Sequence, residues 1–340
     1  MNAHSPAEAS SDRRPVLVVG ASGQLGSRVV KRLAQRGETV RAFVRRTSQH
    51  QHLVQARVEL ALGDLTDAAS IDAACRGVRA VFATANSVAP NHQAGPGGFA
   101  AVEDRGYAEL IAACRRHGVE QFVLISVPVL PVDHKVPLFR YKRLIEQRLM
   151  ASGVPYTILR AAPFMDDWFA LIGSRIPARG DEAALIRRPW PFLQRFIGVV
   201  GHMIERRGIA MIPGSPAARH AFIAIDDVAE FMVCCLGHAP AINAVLDIGG
   251  PQVLSWQQVI DLYARVLGRP VRALSTPSVV FRALQVLMRP FSEAASNIMG
   301  LNWIIERDTL TDSDALARTL GIERLAAEPF LRAKVALPAD

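Results

Sequence analysis

Lysine is nearly absent from this chain: four of its 39 basic residues are lysine and the remainder are arginine. Cysteine is also sparse, with Cys75, Cys114, Cys234 and Cys235 the four in 340 residues. None of them stands in a C-x-x-C or a Cys/His zinc spacing, which argues against the common zinc and dithiol frameworks. His50 and His52 lie in a polar stretch, and no metal site is expected. The four thiols read as small buried hydrophobes, which fits a reducing, cytoplasmic compartment. No apolar run approaches the ~18 residues of a membrane span. Arg13 and Arg14 precede a short apolar run that ends in glycine-rich sequence without a cleavage-like region, so this stretch reads as a first strand and not as a signal. No repeat or low-complexity tract occurs. Half of the residues are apolar and 21% are charged, the composition of a globular protein. The length suits a sizeable core, at roughly 150 residues per domain.

The net charge is +8, unevenly spread. Residues 1–150 hold 20 basic and 13 acidic residues, a balance of +7, against 19 and 18 in residues 151–340. An anionic ligand is therefore expected at the first half. Nucleic acid is not the expected partner despite a pI near 9.8. The chain has no helix-turn-helix, RNP-like or zinc-finger pattern, and its arginines are dispersed.

Residues 1–14 read as a loose tail. Strand-like runs follow at 15–20, 39–44, 57–62, 79–84, 121–126 and 156–159. Helix-patterned stretches separate most of them, at 24–36, 67–75, 99–117 and 138–152. Continuous apolar strands alternating with amphipathic helices predict a parallel sheet covered on both faces, a doubly wound α/β (Rossmann) domain over 15–165. Gly37, Gly77, Gly118 and Gly153 suit the ends of its helices. A smaller α-rich part is expected over 166–340, with a helical insertion at 166–208 and strand-like runs at 209–212, 221–225 and 244–248. Some of these runs would complete the sheet. Further helices are expected at 226–237, 255–267 and 277–289.

The turn from Val19 through Gly20, Ala21, Ser22, Gly23, Gln24 and Leu25 to Gly26 joins the first strand to the first helix. Gly20 permits a tight bend, Gly23 lets backbone approach a pyrophosphate, and Gly26 lets the helix pack on the sheet. The helix N-terminus then offers free N–H groups and a positive dipole end to phosphate. The spacing is G-x-x-G-x-x-G. An NAD site usually carries an acid at the end of the second strand for the ribose hydroxyls. Here Arg45 and Arg46 stand in its place, and guanidinium groups suit a 2′-phosphate, so NADP(H) is expected over NAD(H).

The chain resembles the NmrA-like, or atypical short-chain dehydrogenase/reductase, family over roughly residues 15–270. The segments that carry the likeness are VLVVGASGQLGSRVVKRL, LALGDLTD at 60–67, VFATANS at 81–87 and EQFVLISV at 120–127. PLFRYKRLIEQRLMASGVPYTILRAAPFMDD at 137–167 extends it, with HAFIAIDDVAEFM and LDIGGPQVLSWQQVI beyond. The resemblance implies that Asp64 and Leu65 hold the adenine and that Ala83, Thr84 and Ala85 pass beside the adenosine and pyrophosphate. It also implies that Ser126 faces the nicotinamide, whose other wall would be Ala162, Pro163 and Phe164.

Dehydrogenases of the wider superfamily pair a tyrosine with a lysine four residues later, the lysine lowering the phenol pKa. The matching lysine is Lys142, but Leu138 stands where the tyrosine would be. Tyr141 is adjacent to Lys142, and adjacent residues diverge on a helix. Two readings follow. In one, the chain is a reductase in which NADPH supplies hydride to a quinone or enone, with Lys142 or water supplying the proton and Ser126 beside them. In the other, it binds NADP(H) without turnover, as a redox sensor or assembly factor. Lys142 has an alternative role as a ribose ligand, Ser126 as a strand-end cap. His134, with Asp133 beside it, is a weaker candidate acid on the loop before Lys142.

Apolar residues recur at helical spacing through 190–207 (Phe192, Leu193, Phe196, Ile197, Val200, Met203, Ile204) and through Val280, Phe281, Leu284, Leu287 and Met288. Three roles stay open for these helices: cover for the core, walls of a pocket for a small apolar substrate, or contact with a membrane surface or protein.

Overall fold

The computed structural model describes residues 14–86 and 100–338, the side chain of Phe192 excepted. The expected tail, apart from Arg14, and the Ser87 end of the VFATANS block lie outside the described residues. Strands β1 (Val16–Val19), β2 (Val40–Val44), β3 (Val58–Leu62), β4 (Ala80–Ala83), β5 (Gln121–Ser126) and β6 (Tyr156–Ala161) fall close to the expected runs. Between them lie α1 (Gln24–Gln35), α2 (Ala68–Cys75), α3 (Tyr107–Arg116) and α4 (Pro137–Ala151). The front of the expected 99–117 helix is a π-helical turn at Ala100–Gly106.

After β6 come α5 (Met165–Leu171), α6 (Pro191–Val200), α7 (Met203–Arg207), β7 (Ile209–Pro213), β8 (Arg219–His220) and α8 (Ile225–Cys234). β9 (Ala244–Ile248), β10 (Leu254–Ser255), α9 (Trp256–Leu267), β11 (Arg272–Thr276) and α10 (Ser278–Met288) follow. The chain ends in α11 (Glu293–Ile304), α12 (Asp314–Leu320) and α13 (Ala327–Val335).

The main sheet has seven strands in the order β3-β2-β1-β4-β5-β6-β9, all parallel. This is a doubly wound Rossmann-like α/β sheet with a helical C-terminal region. The order reverses between β1 and β4, so a crevice opens at their carboxyl ends.

Alternation along β1 divides the core. Val16 and Val18 pack with Val29 and Leu33 of α1 and Val228 and Phe231 of α8 on one face. Leu17 and Val19 pack with Tyr107 and Leu110 of α3 and Ile145 and Leu149 of α4 on the other. Helices therefore cover both faces, as continuous apolar strands require. A third cluster builds the C-terminal part around Phe169, Phe222, Trp256 and Tyr263. Gly37, Gly77, Gly118 and Gly153 all take positive φ with open space around the missing Cβ, as helix-ending glycines do.

Two expectations are corrected, and a third, that some later strands complete the sheet, is made specific. The run at 221–225 is no strand: Ala221 and Ile223 donate their N–H groups to Thr309 and Pro163, and Ala224 and Ile225 lead into α8. The strand at 209–213 pairs with β11 in a separate two-stranded sheet, so β9 alone among the later strands joins the main one. The 190–207 stretch is two helices, broken at Gly201 and His202. A Cβ at Gly201 would sit 2.6 Å from the Ile197 carbonyl oxygen.

Candidate functional site

A cleft of about 1320 Å³ runs from the crevice at β1 and β4 into the C-terminal part. Its floor is the glycine-rich turn. Gly20 adopts φ +84°, a left-handed conformation that favours glycine, and a Cβ there would lie 2.7 Å from the Ala85 nitrogen. A Cβ on Gly26 would lie 2.1 Å from the Gly20 carbonyl oxygen. The turn is closed by Thr84, whose hydroxyl donates to the Val19 carbonyl at 2.9 Å. Helix α1 starts at Gly23 with no capping side chain and no acid in its first turn. Its leading N–H groups thus face the cleft with a positive dipole end, which suits an anion.

Gly20, Ser22, Gly23, Gln24, Leu25 and Gly26 all line the cleft. Arg45, Asp64, Leu65, Thr84, Ala85, Ser126, Ala162, Pro163 and Phe164 line it as well. The Asp64 carboxylate is aimed by Thr66, which donates to it from both backbone N–H and hydroxyl at 2.8 Å. Three expected residues are not in the lining. Ala83 is fully buried within β4. Arg46 is exposed on the turn after β2 and is not part of the lining, whereas Arg45, Thr47 and Ser48 are.

Lys142 is the third. It is 2% exposed, with Nζ 3.8 Å from a Glu103 carboxylate oxygen and 5.3 Å from the Tyr107 ring centre. Burial pushes its pKa down, against the pull of Glu103 and Glu146. A cation this far from water needs a buried counter-charge, and Glu103 on the π-helical turn supplies it. Lys142 therefore belongs to the packing of α4 on the π-helical turn and α3, and a direct proton-donor role in the cleft is corrected. Ser126 does reach the cleft, with its hydroxyl donating to Glu146 at 2.5 Å. Glu146 also accepts from Arg143 and Arg160. His134 lines a separate small hollow with Asp133 and Arg140. Among the described residues no three His, Cys, Asp or Glu side chains are grouped to hold a metal ion.

The later chain contributes groups that sequence reasoning missed. Arg188 lines the cleft with its guanidinium 3.5 Å from the Ser22 carbonyl oxygen. Burial and the neighbouring Arg45 lower its pKa against Asp181 and Asp167. Two neighbouring guanidinium groups on the cleft wall leave positive potential for an anion. The Arg187–Arg188 doublet was the available signal.

Asp167 also lines the cleft. The residue keeps some exposure, but its Oδ1 is enclosed and has no hydrogen-bond partner. Burial, then Asp166 and Asp181, push its pKa up to about 8, with Arg28 and Arg188 opposing. At neutral pH this carboxyl is mostly protonated. The far end of the cleft is apolar, walled by Trp168, Leu171, Leu193, Phe196, Phe281 and Leu284.

Residues 20–183 match the family profile described as NAD(P)H-binding. The fold is the Rossmann-like α/β fold of solved NAD(P)-binding reductases and epimerases. A photosystem II assembly factor from Cyanophora paradoxa is 32% identical over 149 residues, 44% of this chain. The chain spans under half of that relative, 45% of its length. An NAD(P)H azoreductase from Xenophilus azovorans is 25% identical over 76% of this chain and 75% of its own length. Among solved structures, an NADPH-dependent quinone oxidoreductase from Escherichia coli in complex with NADPH superposes with a TM-score of 0.68. It is 18% identical, over 94% of this chain and 98% of that one, a likeness of fold. The described residues form no helix long and apolar enough to cross a membrane.

Proposed function

We propose that this protein is a reductase that takes NADPH in preference to NADH and passes hydride to an apolar acceptor such as a quinone or enone. The observation that carries the reading is the continuity of the cleft: the phosphate-binding turn and an apolar chamber are two ends of one space. The turn fits a dinucleotide because a side chain at Gly20 or Gly26 would collide with backbone. Arg45, with Thr47 and Ser48, suits a 2′-phosphate, and Arg188 adds a second guanidinium near Arg45.

NADPH, when bound, supplies hydride. The chain's part is to bind, exclude water and deliver a proton. With Leu138 in the tyrosine position and Lys142 turned to Glu103, Asp167 is the cleft group that holds a proton at neutral pH. Reduction of a quinone or enone needs one hydride and one proton, and Asp167 provides the proton. Likeness to an azoreductase and a quinone oxidoreductase supports this class of acceptor. Four free thiols support a reducing, cytoplasmic setting.

A second reading, an NADP(H)-binding sensor or assembly factor, is favoured by the missing Tyr–Lys pair and by the likeness to photosystem II assembly factors. Titration with NADPH and NADH, followed by NADPH oxidation against quinones and enones, separates the two. The reductase reading expects tighter NADPH binding and turnover with at least one acceptor. Tight binding without turnover on any acceptor would move the protein to the second reading.

A further inference from the structure

Helix α10 turns its apolar side outward. Val279, Val280, Ala283, Leu284, Val286 and Leu287 are all exposed and form one continuous arc of the helix, with no polar side chain among them. The fully buried residue of α10 is a polar one, Gln285. Its Nε2 donates to the Lys135 carbonyl at 2.7 Å, and its own carbonyl accepts from the Ser296 hydroxyl of α11 at 3.1 Å. A helix on a water-facing surface buries its apolar stripe and exposes its polar one. Val279 and Leu287 are instead 67% and 58% exposed, and Phe291 just beyond the helix is 79% exposed. A contiguous patch of this kind marks a contact surface.

Along the chain through this patch the charge is of one sign, up to Glu293 at the start of α11, which pairs with Arg140. From residue 262 to residue 292 there are five arginines, Arg265, Arg269, Arg272, Arg282 and Arg289, and no aspartate or glutamate. Arg272 and Arg289, both exposed, bracket α10 and form no ion pair among the described residues. The same helix places Val280, Phe281 and Leu284 in the wall of the cleft.

We propose that α10 docks on an anionic lipid surface, lying in the bilayer interface with Val279, Ala283 and Leu287 against the acyl chains and Arg272 and Arg289 at the headgroups. An amphipathic segment with valine and leucine on one face and unpaired arginines at its flanks has this affinity. A protein partner is less well matched, because the outward arc lacks the tryptophan and tyrosine anchors that carry protein interfaces. A second copy on the same face would bring the two all-arginine segments together, like charge on like. Docking sets the apolar end of the cleft at the membrane, so that an acceptor dissolved in lipid enters beside α10. That route rests on the reductase reading, whereas the docking does not.

The test is flotation of the purified full-length chain with vesicles of phosphatidylcholine alone and of phosphatidylcholine with phosphatidylglycerol. Binding to the phosphatidylglycerol vesicles, weakened by salt, is expected. Val279→Asp with Leu287→Asp should weaken binding by about tenfold or more, because each places a charge among acyl chains. Arg272→Gln with Arg289→Gln should remove the preference for phosphatidylglycerol. Unchanged NADPH affinity in both double variants shows that the cofactor domain is intact. No vesicle binding by the parent chain overturns the proposal, as does binding that neither double variant alters. A parent dimer that becomes monomeric in the aspartate variant, with no vesicle binding, also overturns it in favour of a second copy. Vesicle binding without reduction of any quinone or enone sustains the docking and defeats the reductase reading, so the two failures are distinct.

Discussion

At the scale of single residues, the proposed chemistry rests on Asp167 and Arg45. Asp167 has a folded pKa of about 8 against 3.8 for an ordinary aspartate, so the folded state prefers the protonated form. Its favourable contribution is full below about pH 4 and is lost as pH rises through 8. Asp167→Asn does not titrate. Its stability advantage over the parent should therefore grow across that window, reaching on the order of a few kcal/mol by pH 9 in urea melts. If Asp167 donates the proton, the parent's kcat falls above pH 8. The asparagine variant should then lose roughly a hundredfold in kcat with NADPH affinity retained. A variant with unchanged kcat would remove Asp167 from the mechanism. Arg45→Ala should weaken NADPH binding by about tenfold and leave NADH binding nearly unchanged, since one charge-assisted contact to phosphate is worth ~1.5 kcal/mol or more. Equal loss for both nucleotides would show that Arg45 does not read the 2′-phosphate.

At the scale of elements, the glycine-rich turn is the most legible part of the chain because its residues are dictated locally. Gly26 faces the Gly20 carbonyl oxygen whatever the rest of the protein does. Gly26→Ala should cost about 1–3 kcal/mol in stability from the enforced backbone shift. It should also abolish measurable NADPH binding in calorimetry, and retained affinity would mean that the turn does not cradle the cofactor. β1 to β6 were readable for a similar reason: each is a short apolar run bounded by turns. The segment Ala221–Ile225 misled because burial alone does not make a strand. Its N–H groups find Thr309 and Pro163, partners that only the assembled fold supplies. β7 was recognisable as a strand, but its partner β11 lies about sixty residues on, beyond the reach of any local pattern. The role of α10 stayed open for a related reason, since an apolar helical stripe looks the same whether it faces a core, a pocket or a membrane.

At the scale of the molecule, the site depends on how the two halves of the chain meet, and that was not legible in sequence. Arg188 and Asp167 enter the cleft because an ion network pins the later chain to α1. Arg28, on α1, donates to Asp181 at 2.9 Å and Asp226 at 3.1 Å and lies 3.9 Å from Asp166. Gln24 donates to the same Asp181 at 3.0 Å, so this contact also aims the first turn of α1. Asp166 in turn accepts from the backbone N–H of Ile225 at the start of α8. Asp166 and Asp181 are buried, and removing the shared cation leaves both without their main compensation. Arg28→Met, which keeps the length of the side chain, should therefore destabilise the protein by about 3–5 kcal/mol. The damage should concentrate where the halves join. Hydrogen exchange should accelerate at α1, α5 and the 181–188 segment, while β5 and β6 stay protected. NADPH affinity should drop as well, through Gln24 and Arg188, although Arg28 does not line the cleft. Uniform destabilisation with unchanged NADPH affinity would mean that the network supports the fold but does not position the site.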